Sequence, residues 1–270
     1  MNIELSVIIV NYNGLKYLEG CFNSLREKLT GIGNEIIVLD NNSTDGSCSF
    51  IKNYYQDITL IESKINHGFG KGNNEAVKFA NGEYLLLINN DTIVLSALEP
   101  VLNFLKNNKK IGVIGINMLN AENEYIPAVG NFPNIRNMFQ LKKLLKTGIE
   151  FNSGFFSHNH FEVDWLSGSF LMLPKTIYQE INGFDEKYFM YVEDVDFCKK
   201  IHDLGYKNIF LPHFSYIHFV GFNTGKNLLL ISGFEIYIEK YFSGYKKKLV
   251  LLALKTNKFV KITKNILNLK

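Results

Sequence analysis

The sequence predicts an α/β fold in which a mainly parallel central sheet is covered by helices on both faces. Three observations predict it. Short apolar runs of strand length alternate with segments of helical periodicity, and that alternation is the rhythm of a parallel sheet. The apolar runs are nearly continuous, as strands buried on both faces require. Several of them end abruptly in Asn and Asp, the residues that close strands and face ligands at a sheet's carboxyl rim.

In order, Ser6 to Val10 is a short apolar run suited to a buried strand, and Leu15 to Leu29 carries Leu15, Leu18, Phe22 and Leu25 at helical spacing. Glu35 to Asp40 reads as the second strand. The polar loop Asn41 to Gly46 follows, with Ser43 or Thr44 as the expected cap of the next helix. A third strand is expected over Thr59 to Glu62, a helix over Gly70 to Ala80, and the most apolar strand over Tyr84 to Ile88. Helix Ser96 to Asn107 and strand Gly112 to Ile116 complete this half. From Asn117 to Asp164 the periodicity is weak, which points to variable loops with one helix, of the kind that forms lids and acceptor loops. Order resumes with strand Ser167 to Leu173, a short helix from Pro174, the turn Gly183 to Asp185, a helix from Glu193 to Leu204 and a strand over Asn208 to Leu211. From Phe234 onward the tail reads as an amphipathic helix.

The chain has 270 residues, near the upper size for one hydrophobic core. One catalytic domain over residues 1–225 and a helical tail over 226–270 are expected. A net charge of +3 is too weak to imply nucleic-acid binding, but it is unevenly spread. Nine lysines and no acidic residue lie between Lys240 and Lys270. Interleaved with Leu249 to Leu252, Leu254, Phe259, Ile262, Ile266 and Leu267, they suit either an anionic membrane surface or packing on the domain or on a partner chain. Cys21, Cys48 and Cys198 have no paired spacing, so no disulfide framework is expected, and Cys21 and Cys198 fall in apolar helical patterns that bury them. The first residues lack the features of a signal peptide, and no apolar run reaches the ~18 residues of a spanning helix. The expected location is the cytoplasm, with the tail peripheral on the inner face of the plasma membrane.

If the strands are parallel, Asn11-Tyr12-Asn13, Asp40-Asn41-Asn42 and Asn89-Asn90-Asp91 share one rim where a ligand would bind. Asp40 either accepts a hydrogen bond from a ribose hydroxyl or base imide, or closes an Asx turn. Asn66 to Asn74 is Gly-rich and opens a helix, so its backbone N–H groups can approach a diphosphate; its glycines equally suit a tight turn. The third glycine comes one residue too early for the dinucleotide fingerprint, which argues against a nicotinamide-dependent dehydrogenase. Asp91, after five apolar strand residues, is placed to hold Mg²⁺ or Mn²⁺ shared with substrate phosphates, or to cap the strand. Glu193-Asp194-Val195-Asp196 opens a helix directly after Tyr188 to Val192. Such carboxylates suit the helix macrodipole, and crowded together in an apolar setting they also suit proton abstraction from a sugar hydroxyl. His213 and His218 follow the last strand as metal or diphosphate contacts, or as core histidines.

Together these segments resemble family 2 glycosyltransferases of the GT-A fold, near the rhamnosyltransferase-like branch. The resemblance is carried by Val7 to Asn13, Val38 to Gly46, Asn66 to Asn74, Leu87 to Thr92, Asp164 to Gly168, Gly183 to Glu186 and Tyr191 to Phe197, in the family's order from about residue 5 to 221. It implies a Rossmann-like sheet and an inverting enzyme that moves a sugar from a nucleoside-diphosphate donor, such as dTDP-rhamnose or a UDP-sugar, to a saccharide or lipid-linked acceptor. The setting it implies is cell-surface polysaccharide synthesis. Tyr12, Asp40 and Asn42 would line the nucleoside pocket, with Asn11, Asn13 and Asn90 on the same rim, and Asn66, Gly68 and Gly72 would shape its neighbouring wall. Asp91 would bind the metal and His218 would lie beside it near the diphosphate. Asp194 would be the general base with Glu193 its neighbour, and Trp165 and Gly168 would border the acceptor. The chain departs from the family's D-x-D-like element at Asn89, which either weakens metal binding or leaves more of the coordination to the diphosphate. A non-catalytic nucleotide-sugar binding module is the alternative, and such a module has no need of the carboxylates at 193–196.

Overall fold

The computed structural model describes residues 3–219 and 227–266. Its first half runs β1 (Leu5–Asn11), α1 (Leu15–Lys28), β2 (Asn34–Asp40), α2 (Ser47–Tyr54), β3 (Thr59–Glu62), α3 (Phe69–Val77) and β4 (Tyr84–Asn89). These strands lie in the order β3-β2-β1-β4, all parallel. The order reverses at β1, because β2 and β3 stack on one side of it and β4 on the other. A crevice opens at that point beyond the carboxyl ends of β1 and β4. The register brings the expected rim together: Asn11 pairs with Asp40, and Val10 with Asn89.

The second half runs β5 (Thr92–Val94), α4 (Glu99–Asn107), β6 (Ile111–Leu119), β7 (Val129–Gly130), α5 (Ile135–Phe139), α6 (Ile149–Ser153), β8 (Phe161–Val163) and β9 (Trp165–Leu166). It ends with β10 (Phe170–Pro174), α7 (Lys175–Glu180), α8 (Glu193–Asp203), β11 (Lys207–His218), α9 (Asn227–Tyr241) and α10 (Gly244–Ile266). The sheet continues β4-β10-β6-β11-β5, with β8 also on β11. β6 and β11 are parallel, whereas β10, β5 and β8 pair antiparallel with their neighbours, so the sheet is mixed but mainly parallel.

Each face of the sheet carries its own core. α1, α2 and α4 cover one face with Leu18, Phe22, Leu25, Ile51 and Val101, while α3, α7 and α8 cover the other with Ala76, Ile177, Phe197 and Ile201. Each large side chain buried this way contributes about 1.5–3 kcal/mol, and this burial rather than helix propensity fixes the rim. Cys21 and Cys198 are buried as expected, and all three cysteines are free.

Several local expectations are corrected. Neither Ser43 nor Thr44 caps α2; the cap position is Gly46 at φ 90°, and Asp45 accepts from the Ser47 N–H at 3.0 Å. Strand β10 begins at Phe170, because Ser167 to Ser169 form a turn. Strand β11 does not stop at Leu211 but runs on to His218. Its register shifts between Leu211 and Ser215, where Pro212 has no N–H to give the ladder. Residues 117–164 contain the end of β6, two short helices, a 3₁₀ turn at Leu141–Leu144 and the two short strands β7 and β8 rather than loops around one helix.

The tail is packed rather than pendant. Tyr237 and Ile238 of α9 and Val250 and Leu254 of α10 join Met138, Tyr188, Val192 and Val195 in a third apolar cluster. The expected boundary at 225/226, Leu267, and the side chains of Ile262 and Ile266 lie outside the described residues. Among the described residues no helix is long and apolar enough to cross a membrane.

Candidate active site

The rim is a chain of amide hydrogen bonds across three strand ends. Asn90 Nδ2 donates to Asn11 Oδ1 at 2.6 Å, and Asn11 Nδ2 donates to Asp40 Oδ2 at 2.7 Å. The Ser43 N–H donates to Asp40 Oδ1 at 2.8 Å, so the turn role open to Asp40 is built. Asn11 and Asp40 are almost fully buried. Asn11 thus sits on the inside of the rim, and Asp40, whose oxygens already accept from Asn11 and Ser43, keeps further lone pairs for a ligand. The exposed members are Tyr12, Asn13 and Asn42, with Tyr12 53% exposed. Asn13 and Asn42 sit at φ 51° and 66°, a region that Asn tolerates better than most residues. Asn13 Oδ1 also holds the Thr44 N–H at 2.8 Å, fixing the loop beside the exposed tyrosine.

The Gly-rich segment forms the neighbouring wall mainly through packing. Asn66 Oδ1 accepts from the Gly68 N–H at 2.9 Å, and the Gly68 carbonyl accepts from Asn41 Nδ2 at 2.9 Å. Gly68 is at φ 77°, and a Cβ there would lie 2.1 Å from the Phe189 carbonyl oxygen. A Cβ on buried Gly72 would meet Val10 at 2.9 Å. Gly72 lets α3 approach β1, and Gly68 lets the 189 loop approach the start of α3, as a tight turn in this motif would.

Asp91 and the 193–194 carboxylates line one cleft of about 510 Å³. Asn89, Ser167, Gly168, Trp165 and His218 line it too, and its remaining walls are mostly apolar side chains such as Met118, Leu144 and Phe234. Pairing of β5 with β11 sets His218 opposite Thr92. His218 Nε2 then lies 3.2 Å from Asp91 Oδ1 and 3.2 Å from Asn89 Nδ2. Two cis ligands on an octahedral Mg²⁺ at about 2.1 Å stand roughly 3.0 Å apart, so the Asp91–His218 pair fits one edge of such a site. Among the described residues no group of three or more His, Cys, Asp or Glu side chains converges to hold a metal. Two protein ligands with the rest from diphosphate or water is the arrangement this donor set suits. Asn89 contacts the histidine rather than adding a charge, and His213, exposed within the β11 bulge, is not among the residues lining the cleft.

The carboxylate turn lines the same cleft. Tyr191 and Val192 occupy φ 71° and 74°, a costly conformation for two consecutive non-glycine residues and above all for β-branched Val. The turn launches α8 so that Glu193 and Asp194 point into the cleft. Asp194 Oδ2 accepts from the Gly168 N–H at 3.1 Å and Oδ1 from the Val195 N–H at 2.8 Å. Burial nevertheless raises its carboxyl above the ordinary carboxylate range. Glu193 is 5% exposed, and its Oε2 is buried with no hydrogen-bond partner. Burial first, and then the neighbouring Asp194 charge, push it well above the ordinary range. Asp196 belongs elsewhere: it is fully buried and paired with Lys240, Nζ to Oδ1 at 2.8 Å.

Trp165 and Gly168 border the same cleft. Trp165 Nε1 donates to the Asn131 carbonyl at 3.1 Å, and a Cβ on Gly168 would lie 3.0 Å from the Phe69 ring. Sequence reasoning missed the contribution of α9, whose Leu230 and Phe234 close one wall. Its apolar residues carried the signal, but nothing local told which part of the domain they cover.

The family model described as "Glycosyl transferase family 2" matches residues 6–166, and that described as "N-terminal domain of galactosyltransferase" matches residues 155–223. A low-salt glycan biosynthesis hexosyltransferase of Haloferax volcanii is 28% identical over 201 residues, 72% of this chain and 60% of that protein. The N-acetylglucosaminyl-diphospho-decaprenol L-rhamnosyltransferase of Mycobacterium tuberculosis is 23% identical over 254 residues, covering 84% and 80%. A rhamnosyltransferase of Escherichia coli K12 is 27% identical over 227 residues, covering 79% and 82%. Among solved structures, a Pyrobaculum calidifontis mannosyltransferase with GDP-Man and Mn²⁺ has a TM-score of 0.64 at 16% identity, covering 97% of this chain and 75% of that one. S. aureus TarS 1–349 with UDP-GlcNAc has a TM-score of 0.59 at 17% identity, covering 94% and 71%.

Proposed function

The chain belongs to glycosyl transferase family 2 and has its GT-A fold, and we propose that it inverts configuration while transferring a sugar from a nucleoside-diphosphate donor to an acceptor hydroxyl. The observation that carries this reading is that Asp91, Glu193 and Asp194 all line one cleft. Asp194 takes the acceptor hydroxyl proton as that oxygen attacks the anomeric carbon. The bond from that carbon to the diphosphate oxygen breaks in the same displacement, so configuration inverts. Asp194's raised affinity for a proton suits it to this step. Asp91 and His218 would hold a divalent ion, Mg²⁺ or Mn²⁺, whose charge offsets that on the leaving diphosphate. Tyr12 offers an exposed ring for the base, beside Asn13 and Asn42, with Asp40 and Asn90 fixing the loop behind them.

The mycobacterial relative, an L-rhamnosyltransferase named for N-acetylglucosaminyl-diphospho-decaprenol, supports a rhamnose donor, for which dTDP-rhamnose is our candidate, and a lipid-linked saccharide as acceptor. The UDP-GlcNAc and GDP-Man complexes of the structural neighbours keep other nucleotides in view. An acceptor anchored in lipid also fits α10. Tyr245, Leu252 and Phe259 recur every seven residues on it and are 75%, 59% and 70% exposed, beside exposed Lys246, Lys248 and Lys255. Such a face suits an anionic membrane surface, and the proposed setting is the inner face of the plasma membrane.

The test is a nucleotide-sugar panel read by thermal stabilisation with and without Mn²⁺, followed by NMR of the product's anomeric configuration. A Mn²⁺-dependent shift with one donor class and an inverted product is expected. A retained configuration would overturn the single displacement.

A further inference from the structure

The carboxylate turn is held from outside its own element. Gly233 of α9 sits so close to it that a Cβ there would lie 2.6 Å from the Tyr191 carbonyl oxygen and 2.8 Å from Val192 Cγ2. Next to it Phe234, and one turn on Tyr237, pack with Val192 and Val195. Two turns from Gly233, Lys240 Nζ lies 2.8 Å from Asp185 Oδ2 and 2.8 Å from Asp196 Oδ1, so one cation ties α9 to the loop before the turn and to the helix after it. Asp196 has no exposed surface, so removing its lysine partner would leave a buried carboxyl without that ion pair. Two residues in the left-handed region persist only where their surroundings over-determine them. Here α9 supplies a backbone-close contact, an apolar cluster and a bridging ion pair, all on the eight-residue stretch from Gly233 to Lys240.

We propose that Gly233 and Lys240 are positioning residues for sugar transfer, with α9 clamping the Tyr191–Val192 turn so that Asp194 meets the acceptor hydroxyl. The proposal rests on the transferase reading for its catalytic half. Its structural half is independent of any substrate, because the clamp must show in the backbone dynamics of the free protein. Gly168 reports on it directly, since its N–H is held by Asp194 Oδ2 at 3.1 Å.

The variants are Gly233→Ala, Lys240→Met and the conservative Lys240→Arg, all in the full chain. Hydrogen exchange is followed at the Gly168 and Asp196 amides against β1 and β4 as internal controls. Binding of UDP with Mn²⁺ is measured by calorimetry, and kcat and KM are measured with the nucleotide sugar selected by the panel. Gly233→Ala and Lys240→Met should speed exchange at Gly168 and Asp196 while leaving β1, β4 and UDP binding unchanged. They should also lower kcat roughly 10- to 100-fold at constant donor KM, as misplacing a catalytic group by about 1 Å does. Lys240→Arg should restore both. If exchange quickens locally but no donor is turned over by any form, the clamp stands and the transferase reading fails. Unchanged exchange and kcat in both Gly233→Ala and Lys240→Met overturn the clamp. So does a uniform loss of protection across the sheet, which would mark α9 as merely structural.

Discussion

Glu193→Gln separates the cost of the carboxylate pair from its use. Glu193 is 5% exposed, its Oε2 meets no partner, and Asp194 lies beside it. An unsatisfied buried polar group costs about 1–3 kcal/mol, and more when charged. The folded carboxyl holds its proton well above the ordinary value of 4.5. Below pH about 4.5 both states are protonated, and the folded protein is at no disadvantage. As pH rises above that value the unfolded chain ionises while the folded group does not, so stability falls until the folded pKa is passed. Gln removes that proton linkage but leaves an amide to satisfy, so the net gain at pH 8 should be about 1–2 kcal/mol, or roughly 2–8 °C for a chain of this size. Thermal unfolding from pH 4 to 8 is the assay. The gain should be largest at pH 8 and vanish near pH 4, and the variant should transfer sugar more slowly than the wild type. A variant less stable than wild type at pH 8, with an unchanged pH dependence, would refute an unpaired, proton-holding Glu193.

Three further outcomes are expected. Asp91→Asn should abolish the Mn²⁺-dependent part of donor-induced thermal stabilisation while leaving the apo melting temperature nearly unchanged; an intact Mn²⁺ response would remove Asp91 from the metal site. Gly68→Ala should cost about 1–3 kcal/mol from its backbone region alone, before the clash with Phe189 is counted, and chemical denaturation would read it; wild-type stability would contradict the close approach of the two loops. Leu252→Ser should weaken co-sedimentation with vesicles containing anionic lipid and spare turnover of a soluble acceptor; equal sedimentation would end the membrane reading of α10.

The parallel half of the fold was legible because continuous apolar runs such as Leu85 to Ile88 leave a strand no exposed face, and their Asn and Asp ends mark the carboxyl rim. Strand direction was not legible: β10 reads as one more apolar run, and nothing in Phe170 to Leu173 encodes that it enters antiparallel between β4 and β6. Pro212 hid the second half of β11, and with it the route by which His218 reaches Asp91. At the site, residue type singled out Asp91 and Asp194, which line one cleft, but could not tell which rim residues are buried. Asn11 and Asp40 carry the right chemistry on the inside of the rim, a distinction set by register and by loop 41–43. The strained Tyr191–Val192 turn had no local signal, since both residues disfavour that conformation and the support it gains from α9 is distant in sequence.

The most direct test of a base facing a donor across one cleft is Asp194→Asn, with turnover and donor affinity measured on the same preparation. The substitution keeps shape and removes the proton acceptor, so transfer should fall about 10²- to 10⁴-fold with donor affinity and Mn²⁺ response unchanged. Turnover close to wild type would contradict the account.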